Sequence, residues 1–346
     1  MPERIEELDV LKGIAMILVI IGHFYHPHIL AFAIWSFHMP LFVIVSGLFI
    51  GDLAFEDLCI KTKKTIRKYI IVYVSTCTAI VVYKIGVWLI KAIILKNEQA
   101  ISFAELILGW FLSIVYAQGN EFVLGNILVP AIGGVWFLMA LIIGQLIICV
   151  SAKMKRISYR LGIILVIVSV LKIISLYLDL PLQFGGGALF AVWLFVGFLL
   201  KKYKDSSNVY RLINPGLDLQ IVILGVWIFA LLWELYIDVP FDISSLNIKL
   251  NIVGFLGALS GSLCCYYLAC FIVRKQLFGR NTLRMVGENT LLILAVHSFD
   301  IVCLTPIWGR IELNAFIIML MRLVFDVVIA QLIKNIERNS KLLKRA

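Results

Sequence analysis

Ten apolar stretches follow one another along this chain, near residues 8–28, 34–51, 69–95, 128–150, 161–178, 186–200, 217–237, 250–272, 287–305 and 313–333. Helices of about these lengths match the hydrocarbon core of a bilayer, roughly 30 Å thick, because each helical residue rises 1.5 Å. Lipid offers the backbone no hydrogen-bond partner, so each segment must satisfy its own amides and carbonyls as a helix. The expected fold class is an all-α polytopic membrane protein with about ten transmembrane helices. Composition agrees: 62% of the residues are hydrophobic and 15% charged. A mean hydropathy of +1.01 lies well outside the range of soluble globular chains.

The formal charge of +10 would suit a nucleic-acid binder, but the placement of the basic residues argues otherwise. With the N-terminus inside, the inner segments hold Arg4, the run Lys61, Lys63, Lys64, Arg67 and Lys68, and Lys153, Lys155, Arg156 and Arg160. Further inner clusters are Lys201, Lys202, Lys204 and Arg211; then Arg274, Lys275, Arg280 and Arg284; then Lys334, Arg338, Lys341, Lys344 and Arg345. The outer segments hold only Lys96, Lys249 and Arg310. This bias places both termini in the cytoplasm, and no nucleic acid is needed to explain the charge. The first apolar run has no small-residue cleavage site after it, so the first helix is expected to stay in the mature protein. The seven cysteines form no CxxC pair and read as small packing residues. One integral domain, 1–346, is expected. Its largest loop, 96–129, contains an apolar stretch interrupted by Glu105 that reads as an interfacial or re-entrant helix.

The first span, "LDVLKGIAMILVIIGHFYHPH", carries Asp9 and Lys12 at its start and His23, His26 and His28 near its end. Asp9, Lys12 and His23 are spaced to project from nearly one helix face. Lys12 and His23 are separated by about 16 Å of helical rise. Ionisable groups inside a span are costly and usually face a bundle interior or a watery cavity. His23 can be a base, or simply a polar contact between helices. His38 opens the second span in "WSFHMPLF". A hairpin turning between Leu30 and Ala31 would bring it to the depth of His23. Neutral imidazole can take a proton from a hydroxyl at ambient pH. Two histidines without nearby cysteine or carboxylate ligands are a poor metal site, so no metal is expected. His26 and His28, beside Pro27, read as solvated loop residues.

Lys63, Lys64, Arg67 and Lys68, with Lys61, could anchor a phosphate-rich ligand as well as the membrane boundary. Trp136 has the position of an aromatic-belt residue. In "VGENTLLILAVHSFD", Glu288 and Asn289 sit at the inner end of the ninth span with His297 and Asp300 deeper. Arg322 and Asp326, four residues apart, are expected to neutralise one another.

The chain resembles the ten-helix integral membrane acyltransferases of the acyltransferase-3 family, especially the branch called fucose 4-O-acetylase-like. The resemblance rests on "RIEELDVLKGIAMILVIIGH", "FHMPLFVIVSGLFI", the basic run before the third span, "WFLMAL" and "GENTLLILAVH", together running from Arg4 to His297. It implies O-acylation, usually O-acetylation, of a cell-surface carbohydrate hydroxyl by a cytosolic acyl-coenzyme A, with acetyl-CoA the expected donor. His23 corresponds to the family's presumed general base, and Lys12 stands where much of the family has Arg. Lys64 and Arg67 take the place of its paired basic motif, and His38 is an assisting residue. The resemblance thus implies His23, His38, Asp9 and Lys12 for catalysis and Lys63, Lys64, Arg67 and Lys68 for the donor. It implies Trp136, His297, Glu288 and Asn289 for the acceptor. Expected partners are acyl-CoA, the carbohydrate and the bilayer of a bacterial cytoplasmic membrane; a homodimer is an admissible state. Two alternatives stay open: a transporter of glycan precursors on the same bundle, disfavoured by the absence of matched broken helices, and transfer of succinyl in place of acetyl.

Overall fold

The computed structural model describes residues 5–24, 27–51, 55–94, 101–241, 243 and 252–343. His26 and the loop cations Arg4, Lys96, Lys249, Lys344 and Arg345 lie outside these residues. Of the described residues, 81% are helical. Among the described residues nine helical stretches are long and apolar enough to cross a membrane, and they coincide with the second to tenth expected spans. The first expected span forms α1, Glu6–Phe24, whose 19 residues rise about 28 Å. It begins with Glu6, Glu7 and Asp9 and includes Lys12, so it is set apart from the other nine by charge and not by length.

The chain does not turn at Leu30 and Ala31 as a simple hairpin would. α1 ends at Phe24, both residues lie inside α2, His28–Trp35, and a second interruption follows at Ser36 and Phe37 before α3, His38–Leu48. Pro40 explains the second interruption: it lacks an N–H and is tolerated in the first turn of a helix but not in its interior. A single long helix, α4, Phe55–Leu89, continues as a π-helical turn to Ile94. At 40 residues it spans about 60 Å, twice the hydrocarbon thickness, so its basic first turns lie beyond the apolar layer.

The expected helix of the 96–129 loop is α5, Phe103–Tyr116. It starts at a reciprocal capping box between Ser102 and Glu105 and ends at Ala117 in left-handed conformation. Its 14 residues are too few to span. Leu106, Gly109, Trp110 and Ser113 form its buried face. Ser113 donates to Pro130 O at 2.7 Å, and Tyr73 of α4 donates to Ile114 O at 2.7 Å, tying the loop to the bundle. A two-stranded hairpin follows, β1 (Phe122–Leu124) and β2 (Ile127–Val129), paired antiparallel.

The remaining helices are α6 (Trp136–Ser151), α7 (Ile157–Ser175), α8 (Phe184–Lys202), the short α9 (Ser207–Ile213), α10 (Leu217–Ile237) and α11 (Ile252–Arg274). Then come α12 (Arg280–Glu288), α13 (Thr290–Phe299), a π-turn at Asp300–Leu304, α14 (Thr305–Trp308) and α15 (Ala315–Leu343). α1 packs against α2, α3, α11, α12, α13 and α15, which makes it the centre of one side of the bundle. In lipid, helices associate through close packing more than through exclusion of water, and small residues permit it. A Cβ on Gly13 would strike the Leu283 carbonyl, and one on Gly287 would strike that of Asp9. α12 can therefore press directly on the charged start of α1, where Arg280 and Arg284 reach Glu6 at 3.3 and 3.7 Å.

Candidate active site

Six helices, α1, α2, α3, α4, α6 and α13, and two loop segments line a cavity of about 730 Å³. From α1 come Lys12, Met16, Val19 and His23, spaced four, three and four residues apart and hence on one face. α3 contributes His38, Met39, Phe42, Val45 and Ser46, with Phe49 just past its end, and α6 contributes Trp136, Phe137, Leu138, Leu141 and Gln145. From α4 come Leu58, Lys61, Thr62, Thr65, Lys68 and Tyr69, again a helical stripe. Trp35, Gly119, Asn120, Pro240, Phe241 and Ile243 complete the end near His23. The cavity thus has a basic end at Lys12, Lys61 and Lys68, an apolar middle, and an end of imidazole and aromatic groups.

At the basic end, Lys12 Nζ lies 2.6 Å from Asp9 Oδ1. Asp9 is buried by the α12 crossing while the Lys12 side chain keeps 22% of its surface accessible. α4 sorts the basic run by helical phase. Lys61 and Lys68 line the cavity, whereas Lys63, Lys64 and Arg67 are exposed on its other faces.

At the opposite end His23 is accessible in the wall. His38 donates from Nδ1 to Ile34 O at 2.8 Å, which makes Nε2 the acceptor nitrogen of its neutral ring. Trp136 is set by the turn before it. Gly133 has φ of 72°, and a Cβ there would lie 3.1 Å from Ser298 O, so glycine brings the start of α6 against α13. Phe241 and Ile243 are buried and close this end, with the Phe241 amide donating to Glu234 Oε2 at 3.3 Å.

His297 does not line the cavity. It is fully buried behind His23, with the two ring centroids 5.4 Å apart, and donates from Nδ1 to Asp326 Oδ2 at 2.8 Å. This contradicts the expected pairing of Arg322 with Asp326. Arg322 instead donates to Asp300 Oδ2 at 2.9 Å, and Asp300 also accepts from Trp308 Nε1 at 2.6 Å. Arg322 further reaches Thr305 Oγ1 at 3.0 Å and lies 3.4 Å above the Phe24 ring. A local i, i+4 attraction of a few tenths of a kcal/mol is outweighed here by tertiary contacts in which each charge finds a directed partner.

Glu288 and Asn289 are not in the cavity wall. Glu288 faces Arg284 at 3.6 Å, and Asn289 donates to Met285 O at 2.6 Å where α12 ends and α13 begins. The next residue, Thr290, does line the cavity. His28 is the exposed first residue of α2 and lies 3.1 Å from Asp238. Thr65, Tyr69, Trp35, Asn120 and Gln145 are wall residues that motif reading passed over. For the α4 group the signal was present: Leu58, Lys61, Thr65, Lys68 and Tyr69 form one stripe if the basic run is read by helical phase and not as a block of charge.

Searches against curated proteins and solved structures gave no match. A family model described as an acyltransferase domain, Acyl_transf_3, matches residues 5–333. That match takes in every wall of the cavity, and the chain belongs to the acyltransferase-3 family of membrane acyltransferases.

Proposed function

We propose that this protein is an O-acyltransferase, using acetyl-CoA from the cytoplasm to acetylate a hydroxyl of a carbohydrate on the far side of a bacterial cytoplasmic membrane. The observation that carries the reading is the one cavity whose wall runs from Lys12, Lys61 and Lys68 to His23, His38 and Trp136. The positive-inside bias puts the basic end at the cytoplasm, and the motifs shared with fucose 4-O-acetylase-like members favour a sugar acceptor.

A cavity of about 730 Å³ suits the flexible arm of the donor and a sugar ring, not the nucleotide as well. The nucleotide phosphates remain at the inner mouth on Lys61 and Lys68, with Lys63, Lys64 and Arg67 in reach of the solvent-side phosphates. The arm extends between Met16, Phe42, Leu141 and Leu294 toward His23. The sugar rests against Trp35 and Trp136, where an aromatic face takes a pyranose ring's C–H side, and the Asn120 amide supplies hydrogen bonds.

His23 takes the proton of the acceptor hydroxyl as its oxygen bonds to the thioester carbonyl carbon. The C–S bond breaks, and the proton passes from His23 to the departing sulfur, giving the ester and the free thiol. His38, with Nε2 as acceptor, orients the hydroxyl for His23. Direct transfer is favoured, because among the described residues the wall's one serine, Ser46, donates its hydroxyl to the Phe42 carbonyl, and the wall holds no cysteine.

The test is the O-acetyl content of surface glycan, measured by NMR in cells lacking the protein and complemented with wild type or His23→Ala at equal expression. Acetyl signal restored by wild type alone supports the reading. Signal restored equally by both removes His23 from the chemistry, and unchanged acetylation with altered glycan export would favour a transporter.

A further inference from the structure

Two buried acid pairs lie side by side between α13 and α15, and they differ in how completely they are satisfied. Asp300 accepts from both Arg322 and Trp308. In the second pair, Asp326 Oδ2 accepts from His297 Nδ1, yet Asp326 Oδ1 and His297 Nε2 are both buried with no hydrogen-bond partner among the described residues. A buried polar atom left unsatisfied costs about 1–3 kcal/mol, so a pair kept only for stability would be expected to resemble its neighbour. The cost is borne one ring away from His23: the His23 and His297 centroids are 5.4 Å apart with the planes tilted by 50°, and Phe24 meets His297 edge-on at 5.1 Å.

We propose that His297, held by Asp326, is a positioning residue for acyl transfer: it sets the orientation of the His23 ring so that its acceptor nitrogen meets the substrate hydroxyl. This rests on the reading of His23 as the base. The carboxylate fixes the proton of His297 on Nδ1, so Nε2 stays a lone-pair acceptor in a site closed to water. The ring is locked by that bond and by Phe24, and it supplies a fixed wall against which the His23 ring packs. The arrangement differs from a metal-ligand or substrate site because neither His297 nor Asp326 lines the cavity.

The test uses full-length protein in inverted membrane vesicles supplied with radiolabelled acetyl-CoA. The initial rate of label entering endogenous glycan is followed against donor concentration and normalised to folded protein. Asp326→Asn and His297→Gln are each expected to lower the maximal rate at least ~10-fold with the donor KM unchanged, and Asp326→Glu to recover part of the rate. Wild-type rates in a folded Asp326→Asn or His297→Gln would overturn the inference. So would a loss carried by KM, or one that vanishes on normalisation to folded protein. If Asp326→Asn does not fold, His297→Gln alone decides by the same criterion. His23→Ala in the same vesicles separates the two claims: an inactive His23→Ala beside a fully active His297→Gln defeats only the positioning role, and an active His23→Ala defeats the base itself.

Discussion

The ion pairs Asp9–Lys12 and Asp300–Arg322 sit near the two ends of α1 and are built from the same chemistry, yet they serve different purposes. Asp300 and Arg322 are saturated: the carboxylate takes two donors, and the guanidinium reaches Asp300, Thr305 and the face of Phe24. Lys12 has one carboxylate partner within its own helix turn and keeps part of its surface open to the cavity. A saturated pair fixes helices to one another. In the proposed reading, the pair with one accessible cation holds a charge ready for the donor, and its carboxylate partner offsets the cost of that charge within the membrane.

The sharpest way to break this contrast is to remove one member of each pair. Arg322→Leu leaves Asp300 buried and uncompensated and is expected to cost about 3–5 kcal/mol of stability, visible as lost monodisperse protein on size-exclusion chromatography. Lys12→Gln keeps a hydrogen-bond donor for the buried Asp9 and should therefore cost less stability, while raising the KM for acetyl-CoA about 10-fold, close to one charge-assisted contact. Equal destabilisation by the two variants would erase the distinction. A smaller effect separates the faces of α4. Lys61→Ala with Lys68→Ala should raise the donor KM severalfold more than Lys63→Ala with Lys64→Ala, and the reverse order would place the phosphates off the cavity.

The smallest effect concerns α5, outside the membrane-spanning helices. The Ser102 backbone N–H, donating to the Glu105 side chain at 2.7 Å, holds the Glu105 carboxyl below the usual carboxylate range. A carboxyl lowered in the folded state stabilises it above the unfolded value and loses that contribution as pH falls through the folded one. Glu105→Gln should therefore melt slightly below wild type at neutral pH, with the difference closing in acid. Glu105 is exposed, so a large shift would be unexpected.

Much of this architecture can be read in the sequence because bilayer thickness and helical period leave few choices. The α1 stripe from Lys12 to His23 is the clearest case: spacing alone puts both in one cavity wall. The break before His38 follows from Pro40, but its consequence, a separate helix α2 that contains Leu30 and Ala31, depends on how the chain is packed. Arg322 and Asp326 show the limit of local reasoning. Their i, i+4 spacing suggests a pair, and only the tertiary approach of α13 shows that each has a different partner. His297 stood out as an ionisable residue deep in a span, but nothing in its surroundings along the chain showed that Asp326, 29 residues later, would hold it behind His23.

The central claim is that acyl groups pass through this cavity from a cytosolic donor to an acceptor at the His23 end. Its most direct test is to supply radiolabelled acetyl-CoA to sealed membrane vesicles of each orientation and follow label into glycan. The account predicts label in inverted vesicles carrying wild-type protein and none in right-side-out vesicles or with His23→Ala. Equal labelling in both orientations, or undiminished labelling with His23→Ala, would contradict it.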